Sequence, residues 1–248
     1  MVERHIFSRY DGFLERPRID RLLEAGCKSS LLTVLAGPGY GKTAAVAAYV
    51  QKLSCPVAWI CITRLDNIPS RFWKAFIKAF EGVFTVETIE KLEALGFPGS
   101  MQKLDMFIHI FANEIYRENR EASILVVDDY NNIQDESIRF FFESIVEANL
   151  ENFTLILMSN VKTDIEKFAI KNRGLAQITA RDLQFTVEEA AQWFAQKEIL
   201  LEEVQVRDIC QSSEGWPLAL YFQALQFQKF PPAPGERVSN VNPELAYQ

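Results

Sequence analysis

Four side chains in two short stretches carry the most chemistry in this chain. In AGPGYGKT, Ala36 to Thr43, glycines at 37, 39 and 41 run directly into Lys42 and Thr43. In SILVVDDY, Ser123 to Tyr130, four apolar residues end in Asp128 and Asp129. Glycines let a backbone reach positive φ and turn its N–H groups inward onto an anion. The spacing therefore predicts a phosphate-binding loop made by Gly37, Pro38, Gly39, Tyr40, Gly41, Lys42, Thr43 and Ala44. Lys42 supplies a point charge for β- and γ-phosphates, and the Thr43 hydroxyl a ligand for Mg²⁺. Asp128 would hold the same Mg²⁺ through water, and Asp129 would polarise an attacking water. The implied ligand is ATP or ADP with Mg²⁺. Ala36 stands where the full loop pattern has its first glycine, and its small side chain still permits the turn. The bland alternatives are a glycine-rich turn kept for packing and a pair of aspartates capping a turn. Each weakens in the presence of the other motif.

Both stretches need strands to present them. LLTVL, Leu31 to Leu35, precedes the loop and AAVAAYV, Ala44 to Val50, follows it, which is strand, loop, helix. PVAWICI, Pro56 to Ile62, is a continuous apolar run suited to a parallel sheet covered on both faces. Charges closing Ile124–Val127 fall at the C-terminal edge of a strand, where open α/β sheets bind ligands. FTLILMSN, Phe153 to Asn160, and AQIT, Ala176 to Thr179, read as the fourth and fifth strands. Asn160, at the end of the fourth, either senses a γ-phosphate or terminates the strand.

Helices fill the intervals. Ile19, Leu22 and Leu23 repeat at helical spacing after Arg16, and that helix reads either as a lid with Arg16 or Arg18 near the base, or as a surface helix. Ser70 is positioned to cap a helix with Phe72, Phe76 and Phe80 on its core face. Thr85–Leu95, Gln102–Asn119, Ser137–Asn149 and Lys162–Arg173 read as further helices, the last one exposed. After Thr179 the strands stop. TVEE, Thr186 to Glu189, is a capping box opening a helix. Val204–Ser213 forms another, and EGWPLAL, Glu214 to Leu220, starts a third with Pro217 in its first turn. Trp216 either stacks on a base or packs into the helical core.

Of 248 residues, 48% are hydrophobic and 24% charged, ordinary for a globular protein with a real core. A formal net charge of −7 argues against this segment gripping a nucleic-acid backbone. Cys27, Cys55, Cys61 and Cys210 lack metal-ligand spacing and read as buried reduced thiols of a cytoplasmic protein. His5 and His109 have no partner at ligand spacing. No run approaches the ~18 apolar residues of a membrane span, and MVERHIFSRYDG lacks the apolar core of a signal peptide.

The order RPRIDRLL, GYGKT, VAWI, LDN, RFW, VVDDY, DLQFTVEEA and EGWPLAL resembles the nucleotide-binding module of MalT-like LuxR-family transcriptional regulators, in the STAND class of P-loop ATPases. The likeness runs from about Arg16 to about Phe227. It implies that Gly39 to Thr43 bind phosphates, Asp128 magnesium, and Pro217 the adenine. It also implies a slow ATPase acting as a switch: ADP holds a resting form, and ATP with an inducer favours self-association. DNA would be bound only through a C-terminal domain absent from this chain, which then reads as a fragment of a longer regulator or a stand-alone remnant. Two positions depart from the family pattern, Thr63 in place of Asp and Asn160 in place of Arg. The expected fold is α/β, a P-loop NTPase three-layer sandwich with a five-stranded parallel sheet, the P-loop strand central, followed by a small helical domain. The expected divisions are an N-terminal segment 1–30, a nucleotide-binding domain 31–182, a helical domain 183–230 and a tail 231–248. The rival reading is a stand-alone P-loop ATPase or small-molecule kinase.

Overall fold

The computed structural model describes residues 14–117, 122–169, 174–233, 235 and 238. Its centre is a five-stranded sheet of β1 (Leu31–Leu35), β2 (Val57–Cys61), β3 (Ser123–Asp128), β4 (Phe153–Ser159) and β5 (Leu175–Thr179). The order is β2-β3-β4-β1-β5, with every neighbouring pair parallel. β4, not the P-loop strand β1, is therefore the middle strand. The crossovers put β1 between β4 and β5 and leave the two phosphate-directed strands, β1 and β3, on either side of β4.

Side chains alternate across a strand, so each inner strand feeds two cores. Leu125, Val127, Leu155 and Leu157 face one, with α3 (Pro69–Phe80), α4 (Val86–Leu95), α5 (Met101–Ile115) and α6 (Glu136–Ala148). That core is aromatic: Phe72, Phe76, Phe107 and Phe141 meet mostly edge to face, and Trp73 stacks on Phe76 at 5.4 Å. Ile124, Val126, Ile156 and Met158 face the other, with α1 (Pro17–Gly26) and α2 (Lys42–Val50). The short helices α7 (Glu166–Ala169) and α8 (Ala180–Leu183) flank β5. A third cluster, built on Phe194, Ile209, Leu220 and Phe227, joins α9 (Val187–Gln196), α10 (Glu203–Ser212) and α11 (Pro217–Lys229).

Several local expectations change. Ser70 lies inside α3; Ile68 is the N-cap and Pro69, whose missing N–H costs nothing there, takes the first helical position. Lys162–Arg173 gives only the four-residue α7 among the described residues, and Glu166 and Ala169 are buried there. Cys210 is buried, but Cys61 is exposed and Cys27 and Cys55 half-buried, because Cys61 ends the edge strand β2. Residue His5, most of the tail and the end of the Gln102–Asn119 stretch lie outside the described residues. No helix among those described is long and apolar enough to cross a membrane.

Candidate functional site

The loop from Ala36 to Gly41 leaves β1 and enters α2 at Lys42. Gly39 and Gly41 take φ of 76° and 73°. Lys42 is buried, and its ammonium uses all three donors: Nζ donates to Ala36 O at 2.6 Å, Gly37 O at 3.1 Å and Asn160 Oδ1 at 2.6 Å. Burial pulls the Lys42 pKa down, opposed by the charges of Asp128 and Asp129. Thr43 Oγ1 donates to Asp128 Oδ2 at 2.9 Å. Asp128 is the last residue of β3 and is buried, which pushes its pKa up against the hydrogen bond from Thr43. Its other oxygen accepts the Asp129 N–H. Asp129 sits at φ 55°, a strained conformation for a side-chain-bearing residue. Its side chain takes no capping hydrogen bond and lines the cavity.

Because β4 lies between β1 and β3, its end points between the loop and the aspartates. Ser159 is the last strand residue and Asn160 the next. Asn160 thus reaches Lys42 while its own N–H donates to Asn131 Oδ1 at 3.0 Å. Asn131 went unnoticed in the sequence, where an Asn pair after DDY reads as turn.

A cavity of about 790 Å³ opens over this cluster, within the range of small-ligand sites. From the loop and the strand ends it is lined by Pro38, Gly39, Gly41, Lys42, Thr43, Ala44, Asp129 and Asn160, and its apolar lining includes Leu14, Phe185, Trp193, Pro217, Leu218 and Tyr221. Gly37, Tyr40 and Asp128, also expected in the site, are not among the residues that line the cavity. The apolar lining suits a flat ring, and the loop residues suit an anion. Two oxygens, Thr43 Oγ1 and Asp128 Oδ2, lie adjacent at the start of α2, a donor set that fits Mg²⁺ completed by phosphate and water. No cluster of three or more His, Cys, Asp or Glu suited to a metal occurs among the described residues.

Arg16 lines the cavity, but its guanidinium is engaged elsewhere. It donates to Glu189 Oε2 and Gln184 O, both at 2.8 Å, and lies 4.3 Å over the Phe185 ring. Arg18 reaches Glu189, Asp182 O and Gln184 O. Glu189, read in the sequence only as the far end of a capping box, is the hub: it closes the box on Thr186 and holds both arginines. Burial opposes its charge, but the two arginines hold its carboxyl below the ordinary value. Burial also pulls the Arg16 guanidinium down, opposed by the hydrogen bond and charge of Glu189.

Trp216 neither packs into the helical core nor faces the cavity. Its Nε1 donates to Pro38 O at 3.3 Å and its ring lies 6.3 Å from Tyr40. The turn before it needs glycine: Gly215 has φ 67°, its carbonyl accepts the Phe185 N–H, and a Cβ there would lie 2.5 Å from Phe185 O.

No family model matches the chain. Over 218 residues it is 31% identical to the HTH-type transcriptional regulator MalT of Serratia proteamaculans, an alignment taking in 83% of this chain and 23% of MalT. Over 225 residues it is 25% identical to the serine/threonine-protein kinase PknK of Mycobacterium tuberculosis, 88% of this chain and 20% of PknK. The chain thus spans only a minor part of either relative. Among solved structures, the Walker-type ATPase paby2304 of Pyrococcus abyssi superposes with a TM-score of 0.60 at 13% identity, over 89% of this chain and 69% of that one. A STAND protein with a tetratricopeptide repeat sensor, PH0952 of Pyrococcus horikoshii, gives 0.56 at 15% identity, over 84% and 29%. The fold is that of the P-loop NTPases, and the sequence resemblance to MalT-like regulators holds over most of the chain.

Proposed function

We propose that this P-loop module, related in sequence to the MalT regulators, is an ATP/ADP-binding switch whose nucleotide state controls self-association. The observation that carries the reading is the cavity's mixed lining. Groups suited to phosphates come from the sheet edge, and surfaces suited to a base come from the helical unit. A ligand spanning both stabilises the arrangement in which they share one cavity, by mass action. ATP and ADP differ only in the γ-phosphate, so the switch needs a group that meets it differently. Asn160, bonded to Lys42 Nζ, is that group: a phosphate drawn to Lys42 competes with the Asn160 carbonyl. Since Val161 follows directly, the competition reaches the surface loop after β4.

Asp129 is assigned to the attacking water and Asp128 with Thr43 to Mg²⁺. Hydrolysis returns the switch to rest and is slow. Relatives that carry such a module in a DNA-binding regulator and in a protein kinase support a general switch, with the output supplied by other parts of each protein. A small-molecule kinase needs further cations aimed at the transferred phosphoryl group. Besides Lys42, the cations lining the cavity among the described residues are Arg16 and Lys52, held by Glu189 and Asp20.

Sedimentation of the protein with Mg-ADP and with a non-hydrolysable Mg-ATP analogue tests the reading. Assembly with the analogue only is expected; identical sedimentation at saturating levels of both overturns the switch.

A further inference from the structure

We propose that Trp216 and the first turn of α11 are positioning elements of the phosphate site: they orient the outer peptides of the P-loop so that its amides face the cavity. This deepens the nucleotide-binding reading above and rests on it.

The argument starts from the planarity of the peptide bond. In a trans peptide the C=O of one residue and the N–H of the next point in opposite directions. Pinning a carbonyl outward therefore aims the following amide inward. Two consecutive carbonyls of the loop are pinned by the helical unit. Trp216 Nε1 donates to Pro38 O at 3.3 Å, and Leu218 N donates to Gly39 O at 3.1 Å. The amides sharing those two planes are Gly39 N–H and Tyr40 N–H. Neither donates a hydrogen bond among the described residues, and Gly39 lines the cavity. Two neighbouring, unspent donors are what an anion needs.

The donors that do the pinning are themselves free for it. Leu218 is the second residue of α11, whose first-turn N–H groups have no partner within the helix. The Trp216 indole N–H has only this one acceptor to satisfy. The fit is close. A Cβ on Gly39 would lie 2.7 Å from Leu218 Cβ and 3.1 Å from Trp216 Nε1, whereas one on Gly41 would meet nothing within 4 Å. Gly41 is glycine for its φ alone, while Gly39 is glycine also because α11 sits against it. The tilted Tyr40–Trp216 ring pair extends the same contact along the loop.

Two consequences follow. When α11 is docked, the loop meets a diphosphate already ordered; undocked, both peptides are free to rotate and must be ordered at the expense of affinity. Because coupling is reciprocal, a phosphate in the loop strengthens α11 docking by the same factor, with no contribution from the base. Pro217, which has no N–H to donate to the loop, is assigned to the base and not to this contact.

The test separates phosphate from base. Binding of Mg-ADP is measured by calorimetry, and binding of Mg-pyrophosphate by its competition with ADP, in the wild type, Trp216→Phe and Pro217→Ala. Trp216→Phe keeps an aromatic ring and deletes the N–H, and is expected to weaken both ligands about three- to tenfold, the range of one hydrogen bond. Pro217→Ala is expected to weaken ADP and leave pyrophosphate unchanged. Gly39→Ala, which wedges α11 off the loop, is expected to weaken pyrophosphate more than Trp216→Phe does. In the wild type, pyrophosphate alone is expected to change Trp216 emission, a signal absent from Trp216→Phe. Equal pyrophosphate competition in wild type and Trp216→Phe, or none in a wild type that binds ADP, overturns the positioning role and leaves the nucleotide switch standing. A wild type that binds neither ligand overturns both.

Discussion

Replacing Glu189 by Gln probes how the helical unit is held over the cavity. The side chains of Arg16 and Glu189 are each 11% exposed and meet at 2.8 Å; that of Arg18 is 35% exposed and meets the same oxygen at 3.2 Å. Removing one member of a fully buried pair costs about 3–5 kcal/mol, because the other charge is left uncompensated. Here the pair lies at the cavity edge, Arg18 is partly solvated, and Gln retains an acceptor and the capping-box geometry. The expected loss is therefore smaller, about 2–3 kcal/mol. Arg18→Ala, removing the more solvated partner, is expected to cost about 1 kcal/mol. Urea unfolding measures the loss. Limited proteolysis of the connection between β5 and α9 is expected to accelerate in parallel. Arg16→Met combined with Glu189→Leu should cost less than Glu189→Gln, since no charge is stranded. The pH dependence has a fixed sign. A carboxyl held below its ordinary pKa contributes fully above the unfolded value, ~4.3, and loses its contribution as pH falls through the lower folded value. Docking should thus persist at neutral pH and weaken only in acid. Unchanged urea midpoint and unchanged cleavage in Glu189→Gln would refute the pair's role as the tie between α1 and the helical unit.

Lys42→Ala is expected to abolish ADP binding by calorimetry while far-UV circular dichroism stays that of the folded protein; unaltered affinity contradicts the phosphate role. Asp128→Asn should weaken the Mg²⁺ dependence of ATP binding, whereas Asp129→Asn should leave binding intact and slow hydrolysis. Equal loss of binding in both variants refutes that division. Burial raises the Asp128 pKa, so protons compete with Mg²⁺ and the apparent Mg²⁺ affinity should fall as pH drops toward that raised value; a flat profile speaks against Asp128 as the metal ligand.

Much of this molecule is legible from short stretches. A run such as LLTVL followed by GPGYGKT can be a strand and a phosphate loop because φ freedom, amide direction and helix start are decided within a few bonds. The same holds for the TVEE box, whose two hydrogen bonds close between Thr186 and Glu189 in the structure. The apolar alternation that splits Ile124, Leu125, Val126 and Val127 between two cores is likewise a local period. Beyond those ranges the sequence leaves choices open. Arg16 and Glu189 are 173 residues apart, and nothing near either names the other. Trp216 reads as a base-stacking or, more readily, a core residue until Pro38 O is found beside its indole nitrogen. Asn160 becomes a partner of Lys42 only because β4, not β1, takes the middle of the sheet. Strand order and docking are settled by which crossovers bury the most apolar surface together. That quantity belongs to the whole chain, so the same local patterns are compatible with several arrangements, and only the packed structure selects one.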